Sequence, residues 1–268
     1  MAAPPPIGVA NAAFMYYHRV MQYGKFASIY DTLMSGVDYD LWASYVAGFI
    51  PRGSLVYECA CGTGKISLRL AGMNYSIVAS DISEDMLMVA ASSQRESGLA
   101  GSRLRFVRMD MRELSFNKKA DCVIACCDGV NYLTSDEDAL AFFRSAHASL
   151  KPGGLLLFDV SSEYKLSAVL GNNCFIDNGR EAAYMWQNTY DERSRLIRMD
   201  LAFFKKQGGL YERFDETHIQ RAYSVDELKD MLLEAGFAPE AYRCFSREPV
   251  GEKDERIQFV AVKTEDRA

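Results

Sequence analysis

Two groups of residues in this chain have the types and spacing for chemistry. The first is a loop, Glu58-Cys59-Ala60-Cys61-Gly62-Thr63-Gly64-Lys65, that follows the apolar run Leu55–Tyr57. Small residues at alternate positions leave the backbone open to a ligand, because a Cβ there would block its approach. A triphosphate loop would need Gly at 59 and Ser or Thr at 66, where this chain has Cys59 and Ile66. A dinucleotide fingerprint would need Gly at 67, where it has Ser67. The pattern that fits throughout is acid-x-small-x-Gly-x-Gly, and the plain alternative is a Gly-rich turn with no ligand. The second group is Tyr132 and His218, side chains that can hold or move a proton. In a strand, Glu216, His218 and Gln220 share one face, which offers a carboxylate, an imidazole and an amide. A solvated outer face is the alternative for that trio.

These residues need a frame, and the hydrophobic pattern supplies one. Leu55–Glu58 reads as a strand, followed by a tight turn and a helix carrying Ile66, Leu68 and Leu70. Ser76–Ser80 is a second strand ending at Asp81, where a carboxylate can accept from two ribose hydroxyls or cap the helix Ser83–Ala91. Leu104–Met109 is a third, ending in Asp110-Met111, where an acid can accept from an adenine amino group. Asp121–Cys127 is a fourth, and the loop Asp128–Leu133 follows it. Ligands of open α/β sheets sit outside the carboxyl ends of the strands, so this loop faces the reacting centre. Thr134–Glu137 reads as a capping box, Lys151–Gly154 as a helix stop and Leu155–Val160 as a fifth strand.

Residues 161–222 break the alternation. Ala183–Tyr190, Arg195–Phe204 and Leu210–Arg221 predict a three-stranded meander. Ser224–Glu227 is a second capping box, Gly236 ends its helix, and Tyr242–Ser246 and Ile257–Val262 are the expected last strands. Ahead of the loop, Phe26, Trp42 and Phe49 read as packing residues of two short helices, while Tyr30 and Tyr39 offer aromatic faces to a cation. The expected divisions are a loosely held tail (1–20), a helical cap (21–52), a ligand-binding core (53–160), an inserted roof (161–222) and the rest of the core (223–268). A chain starting at Met21 is expected to keep the fold.

The 268 residues suit one large domain with an insertion. A net charge of -6 argues against nucleic acid as the partner. No apolar run reaches membrane-spanning length, so no membrane contact is expected. The seven cysteines form no C-x-x-C pair, which argues against zinc and for a reduced, cytosolic enzyme. Residues 1–20 show no positive stretch ahead of an apolar one, so no secretory signal is expected there.

The residues Glu58–Gly64, Asp81, Asp110-Met111, 126–133 and Lys151–Gly154 together resemble class I S-adenosylmethionine-dependent methyltransferases, and the likeness runs along nearly all of 21–263. Tyr23–Met34 is similar to the start of small-molecule methyltransferases related to glycine and aminosugar N-methyltransferases. Arg213–Arg221 is similar to the insertion of the YqeM-like bacterial branch. The resemblance implies a Rossmann-like α/β sheet in order 3-2-1-4-5-7-6, strand 7 antiparallel, with an inserted antiparallel β meander. It implies S-adenosylmethionine as cofactor, touched by Tyr30, Tyr39, Glu58, Ala60, Gly62, Thr63, Gly64, Asp81, Ile82, Met86, Asp110, Met111, Cys127 and Asp128. The chain departs from the pattern at Ala60, where Gly is usual, and at Tyr132, where the aminosugar enzymes carry His.

The expected reaction is methyl transfer to an N or O of a small polar molecule, with Tyr132 and His218 as candidate bases and no metal. The insertion is expected to roof the acceptor, with Trp186 and Phe203 shielding the sulfonium. An RNA or protein methyltransferase and a cofactor-binding protein without catalysis are the alternatives. A homodimer is compatible with the sequence.

Overall fold

The protein is described here by a computed structural model covering residues 23–99, 103–180 and 182–264. The tail, and the truncation point at Met21, lie outside the described residues. Two helices come first, α1 (Tyr23–Leu33) and α2 (Tyr39–Ala47). Alternation follows: β1 (Leu55–Glu58), α3 (Lys65–Gly72), β2 (Ser76–Asp81), α4 (Glu84–Glu96), β3 (Leu104–Arg108), β4 (Ala120–Ala125), α5 (Asp136–Ser149) and β5 (Leu150–Ser161). A π-helical turn, Lys165–Leu170, leads into β6 (Cys174–Asn178), β7 (Ala182–Asp191), β8 (Leu196–Gln207) and β9 (Leu210–Arg221). The chain closes with α6 (Val225–Glu234), β10 (Phe237–Arg243) and β11 (Arg256–Lys263).

The main sheet has seven strands in order β10-β11-β5-β4-β1-β2-β3. β11 runs antiparallel to both β5 and β10, and the other pairings are parallel. This is the expected order, with β11 and β10 as the seventh and sixth family strands. Alternate residues serve opposite faces. Val56, Ile77, Cys122, Ile124 and Leu157 pack on Trp42, Val46, Ile66 and Leu70 of α2 and α3. Tyr57, Val123, Ala125, Leu156 and Phe158 pack on Phe142, Phe143, Leu228 and Leu232 of α5 and α6. Burial on both faces explains why β4 reads as an apolar run from Cys122 to Ala125. Among the described residues no helix is long and apolar enough to cross a membrane.

Three local expectations are corrected. The insertion has four antiparallel strands, because β6 pairs with β7. Its residues are mostly exposed, so it carries little apolar pattern. The strand expected at Tyr242–Ser246 is β10 at Phe237–Arg243; Pro239 is tolerated there because β10 is an edge strand. The cap of α5 is Ser135, accepting from the Asp138 amide, and not Thr134. The second capping box, Ser224 with Glu227, is as expected.

The insertion's inner face is ordered in rows across β7, β8 and β9. The rows are Tyr184–Phe203–Phe214, Trp186–Leu201–Glu216, Asn188–Met199–His218 and Tyr190–Ile197–Gln220. The first row joins Phe26, Ala27 and Ile29 of α1 and Met86 of α4 in one apolar cluster. Trp186, Leu201, Met199, Ile197 and Tyr190 join Leu166 of the π-helical turn in another. Asn131 fastens the insertion to the sheet: its Nδ2 donates to the carbonyls of Ser161 (3.1 Å) and Arg221 (2.9 Å), and its Oδ1 accepts from the Ser161 amide.

Candidate active site

β1 delivers Glu58 into the interior, where it accepts a hydrogen bond from Ser67 in the first turn of α3. Burial pushes the Glu58 carboxyl up to about 7, against the pull of that hydroxyl. Glu58 therefore anchors the loop from beneath. The loop turns through Ala60, Gly62 and Gly64 at φ values of 50, 52 and 73°. At Gly62 nothing lies within 4 Å of where a Cβ would stand, so this backbone faces open space. Gly64 differs: a Cβ there would meet the Phe106 ring at 2.7 Å, so its small size serves packing on β3. Ala60 carries the strain of the left-handed region that Gly would avoid. Its Cβ lies 3.0 Å from the position a Cβ on Gly129 would take, so the loops after β1 and β4 meet at these two residues.

Asp81, at the end of β2, accepts from the Gly62 amide (2.8 Å) and the Ser83 amide (2.9 Å). Burial raises its pKa. The cap of α4 is Ser83, so Asp81 is a strand-end carboxylate braced between loop and helix. Ile82 beside it is exposed, whereas Met86 is taken up by the cluster of Phe26 and Phe203. Asp110 is gripped by the Arg112 guanidinium, which also reaches Asp138 at 2.7 Å. Met111 packs on the core near Gly129.

The loop after β4 starts with two successive left-handed residues, Cys127 (φ 62°) and Asp128 (φ 56°). Strain of this kind persists only where surroundings impose it. Here both carboxylate oxygens of the fully buried Asp159 accept from those two amides, at 2.6 and 2.9 Å. Arg256 on β11 ion-pairs with Asp159 and with Asp128 (2.8 Å), and Gln220 donates to Asp128 (2.9 Å). Burial lifts Asp159 to about 6, with Arg256 opposing.

α1 closes over these strand ends. Its Asp31 accepts from the Thr63 hydroxyl (2.7 Å) and ion-pairs with Lys65 (2.6 Å). The neighbouring Tyr30 is partly buried, with Tyr39, Cys127, Asp128 and Asp81 as electrostatic neighbours; burial first, and then those groups, raise its hydroxyl pKa. Tyr39 is raised by burial as well. Tyr30 thus lies near the ends of β2 and β4, and Tyr39 lies near Cys127 with the Arg69 guanidinium 5.5 Å over its ring.

The two candidate bases come together. The Tyr132 hydroxyl is 3.3 Å from His218 Nδ1, and the Phe26 ring of α1 lies 5.3 Å from the imidazole. His218 is buried, and burial pulls its pKa down to about 4, so it is neutral at neutral pH. Glu216 and Gln220 are also buried, so the trio faces inward. Burial pushes Glu216 up to about 7. Phe203 is buried under Phe26, with ring centroids 5.5 Å apart. Asp31, Asn131, Asp159 and Arg256 are site residues the sequence did not single out. Each acts through a partner at least 30 positions away, and no local spacing encodes that.

The open Gly62 backbone, the strand-end Asp81 and the two tyrosine rings form a cradle that fits a nucleoside bearing a sulfonium.

Comparison with known proteins agrees. Residues 56–154 match the family model described as "Methyltransferase domain". The chain is 37% identical over 246 residues to a Bacillus subtilis (strain 168) protein named "Putative methyltransferase YqeM", covering 91% of this chain and 98% of that one. It superposes with a TM-score of 0.82 on the crystal structure of an S-adenosylmethionine-dependent methyltransferase from Clostridium acetobutylicum ATCC 824, at 32% identity and covering 91% and 99% of the two chains. It shares the fold of the sugar N-methyltransferase KedS8 from Streptoalloteichus sp ATCC 53650, with a TM-score of 0.69 at 14% identity and coverage of 99% and 98%.

Proposed function

We propose the following reaction on the premise that the chain belongs to the YqeM branch of the S-adenosylmethionine-dependent methyltransferases. It methylates an N or O of a small polar molecule held beneath the insertion. S-adenosylmethionine supplies the electrophilic methyl group when bound. Gly62 presents its backbone to the cofactor, Asp81 takes the ribose hydroxyls, and Tyr30 and Tyr39 cover the sulfonium. Asp110 and Met111 flank the adenine edge, with the Arg112 grip setting the Asp110 rotamer.

The carrying observation is the Tyr132–His218 pair, a buried imidazole beside a phenol that is 38% exposed. Neutral His218 accepts the Tyr132 proton in a hydrogen bond, which leaves the phenol oxygen to accept from the nucleophile. Much of the rate comes from placement of that nucleophile behind the methyl carbon. An enclosed inner face bounded by α1 and the π-helical turn suits a small acceptor better than a polymer. The sugar N-methyltransferase of the same fold is in keeping with that choice.

The test measures S-adenosylhomocysteine release across a panel of small amines and alcohols. His218→Ala is expected to leave cofactor affinity within a few-fold and to slow transfer by roughly 10²-fold. Unchanged transfer in that variant would remove the pair from the mechanism.

A further inference from the structure

The inner face of the insertion holds polar groups that its own fold does not use. Glu216 is 8% exposed, and no described residue gives its carboxylate a hydrogen bond or a cation. In the same row, two strands away, Trp186 keeps a buried indole N–H with no acceptor among the described residues. One row on, the buried Asn188 Oδ1 has no donor among the described residues, although its Nδ2 is satisfied by the Leu170 carbonyl. Buried acids and amides are ordinarily paired, and each one left alone costs stability. Two such buried atoms, and beside them a Glu216 carboxylate that the fold leaves accessible and without a partner among the described residues, mark a surface shaped for something outside the fold.

Their position says where that something sits. The row Tyr184–Phe203–Phe214 is closed by α1 and α4, and Leu166 of the π-helical turn covers the other end. Glu216 lies between the two clusters, one pleat along β9 from His218. His218 in turn contacts Tyr132 on the loop at the carboxyl ends of the strands. The carboxylate therefore stands beside the pair that meets the nucleophile.

The chemistry selects the ligand. A neutral hydroxyl would leave a buried carboxylate uncompensated, whereas an ammonium both neutralises it and donates to it. The ring of Phe26 and the phenol of Tyr132 add faces and a lone pair that suit a cation.

We propose that Glu216 is the counter-ion and proton acceptor for an amine, so that the methylated atom is the nitrogen of a small hydroxylated amine whose other polar groups meet Trp186 and Asn188. This rests on the methyltransferase reading above. The ammonium gives one proton to the Glu216 carboxylate and becomes a neutral amine. Its lone pair then forms the N–C bond as the C–S bond breaks and sulfur keeps that electron pair. The product is a methylated ammonium, and Glu216 passes its proton to water. Tyr132 accepts from a remaining N–H and sets the direction of attack.

The experiment loads the full chain with S-adenosylhomocysteine and titrates matched probes: glucosamine against glucose, and trans-2-aminocyclohexanol against trans-cyclohexane-1,2-diol. Calorimetry is expected to show each amine binding at least about 10-fold tighter than its alcohol. Glu216→Gln should erase that preference, keep S-adenosylhomocysteine affinity within about 2-fold and leave the melting temperature at neutral pH no lower; Glu216→Asp should restore part of the preference. With S-adenosylmethionine, mass spectrometry should place the new methyl on nitrogen. Equal binding of amine and alcohol, no binding of either amine, an O-methyl product, or an unchanged preference in Glu216→Gln would each overturn the assignment and leave the methyltransferase reading standing. Failure of the unmodified chain to bind S-adenosylhomocysteine would overturn that reading and this assignment together.

Discussion

Tyr132 Oη and His218 Nδ1 stand 3.3 Å apart although 86 positions separate them in the chain. One comes from the loop after β4 and the other from the insertion, so the contact exists only when roof and sheet are docked. Tyr132→Phe and His218→Ala should each lower kcat by about 10- to 100-fold, and the double variant should be little worse than either. Rapid-quench kinetics at saturating cofactor would check this. Losses that multiply in the double variant would mean the two act separately.

The pH dependence of stability should expose two opposed groups. His218 has a folded pKa of about 4, below its ordinary 6.5. The unfolded chain binds the extra proton, so stability falls as pH drops from 6.5 towards 4. Glu216 has a folded pKa of about 7, above its ordinary 4.5. The folded chain binds the extra proton, so stability falls as pH rises from 4.5 to 7. Each contributes up to about 3 kcal/mol, and the slopes partly cancel between pH 4.5 and 6.5. Melting curves of Glu216→Gln should rise more steeply with pH across that window than those of the unmodified chain. His218→Gln should tilt the other way, and parallel curves would refute the account.

Gly129→Ala should disturb the cofactor loop, since its Cβ would stand 3.0 Å from that of Ala60. A cost of about 1–3 kcal/mol in stability is expected from such overpacking. Adding Ala60→Gly should recover most of it, because that change removes the opposing methyl group and relieves the left-handed strain at Ala60. A double-variant cycle by denaturant titration would show the coupling, and additive losses would mean that the two loops relax independently.

Asp81→Ala should weaken cofactor binding by about 10- to 100-fold by calorimetry. Two effects contribute: the ribose loses an acceptor, and the Gly62 amide loses its brace. Asp81→Asn should sit between the two, since the amide oxygen can still accept from one partner. Equal affinity in all three proteins would leave Asp81 a purely structural residue.

Much of this architecture was legible because parallel strands buried on both faces leave apolar runs, as at Cys122–Ala125. The small-residue loop and the strand-end acids were legible because their spacing is local. β6 was not, since its five residues are largely exposed and carry no face. β10 was misplaced because Pro239 argues against a strand unless the strand is known to lie at an edge. Arg256, Asp128 and Asp159 could not be joined from sequence, because 97 and 128 positions separate Arg256 from its two partners. The pairing of Tyr132 with His218 was beyond reach for the same reason, even though each residue was singled out alone.

Helix α1 holds the cofactor loop through Asp31 and leans on the roof through Phe26, within a single stretch of chain. On the proposed placement of the acceptor, this one helix borders both the cofactor and the acceptor, so the two are expected to be released together. The expected consequence is that departure of the methylated molecule and of S-adenosylhomocysteine is coupled. Inhibition by one should depend on the concentration of the other, and turnover at saturation should follow how often the helix lifts.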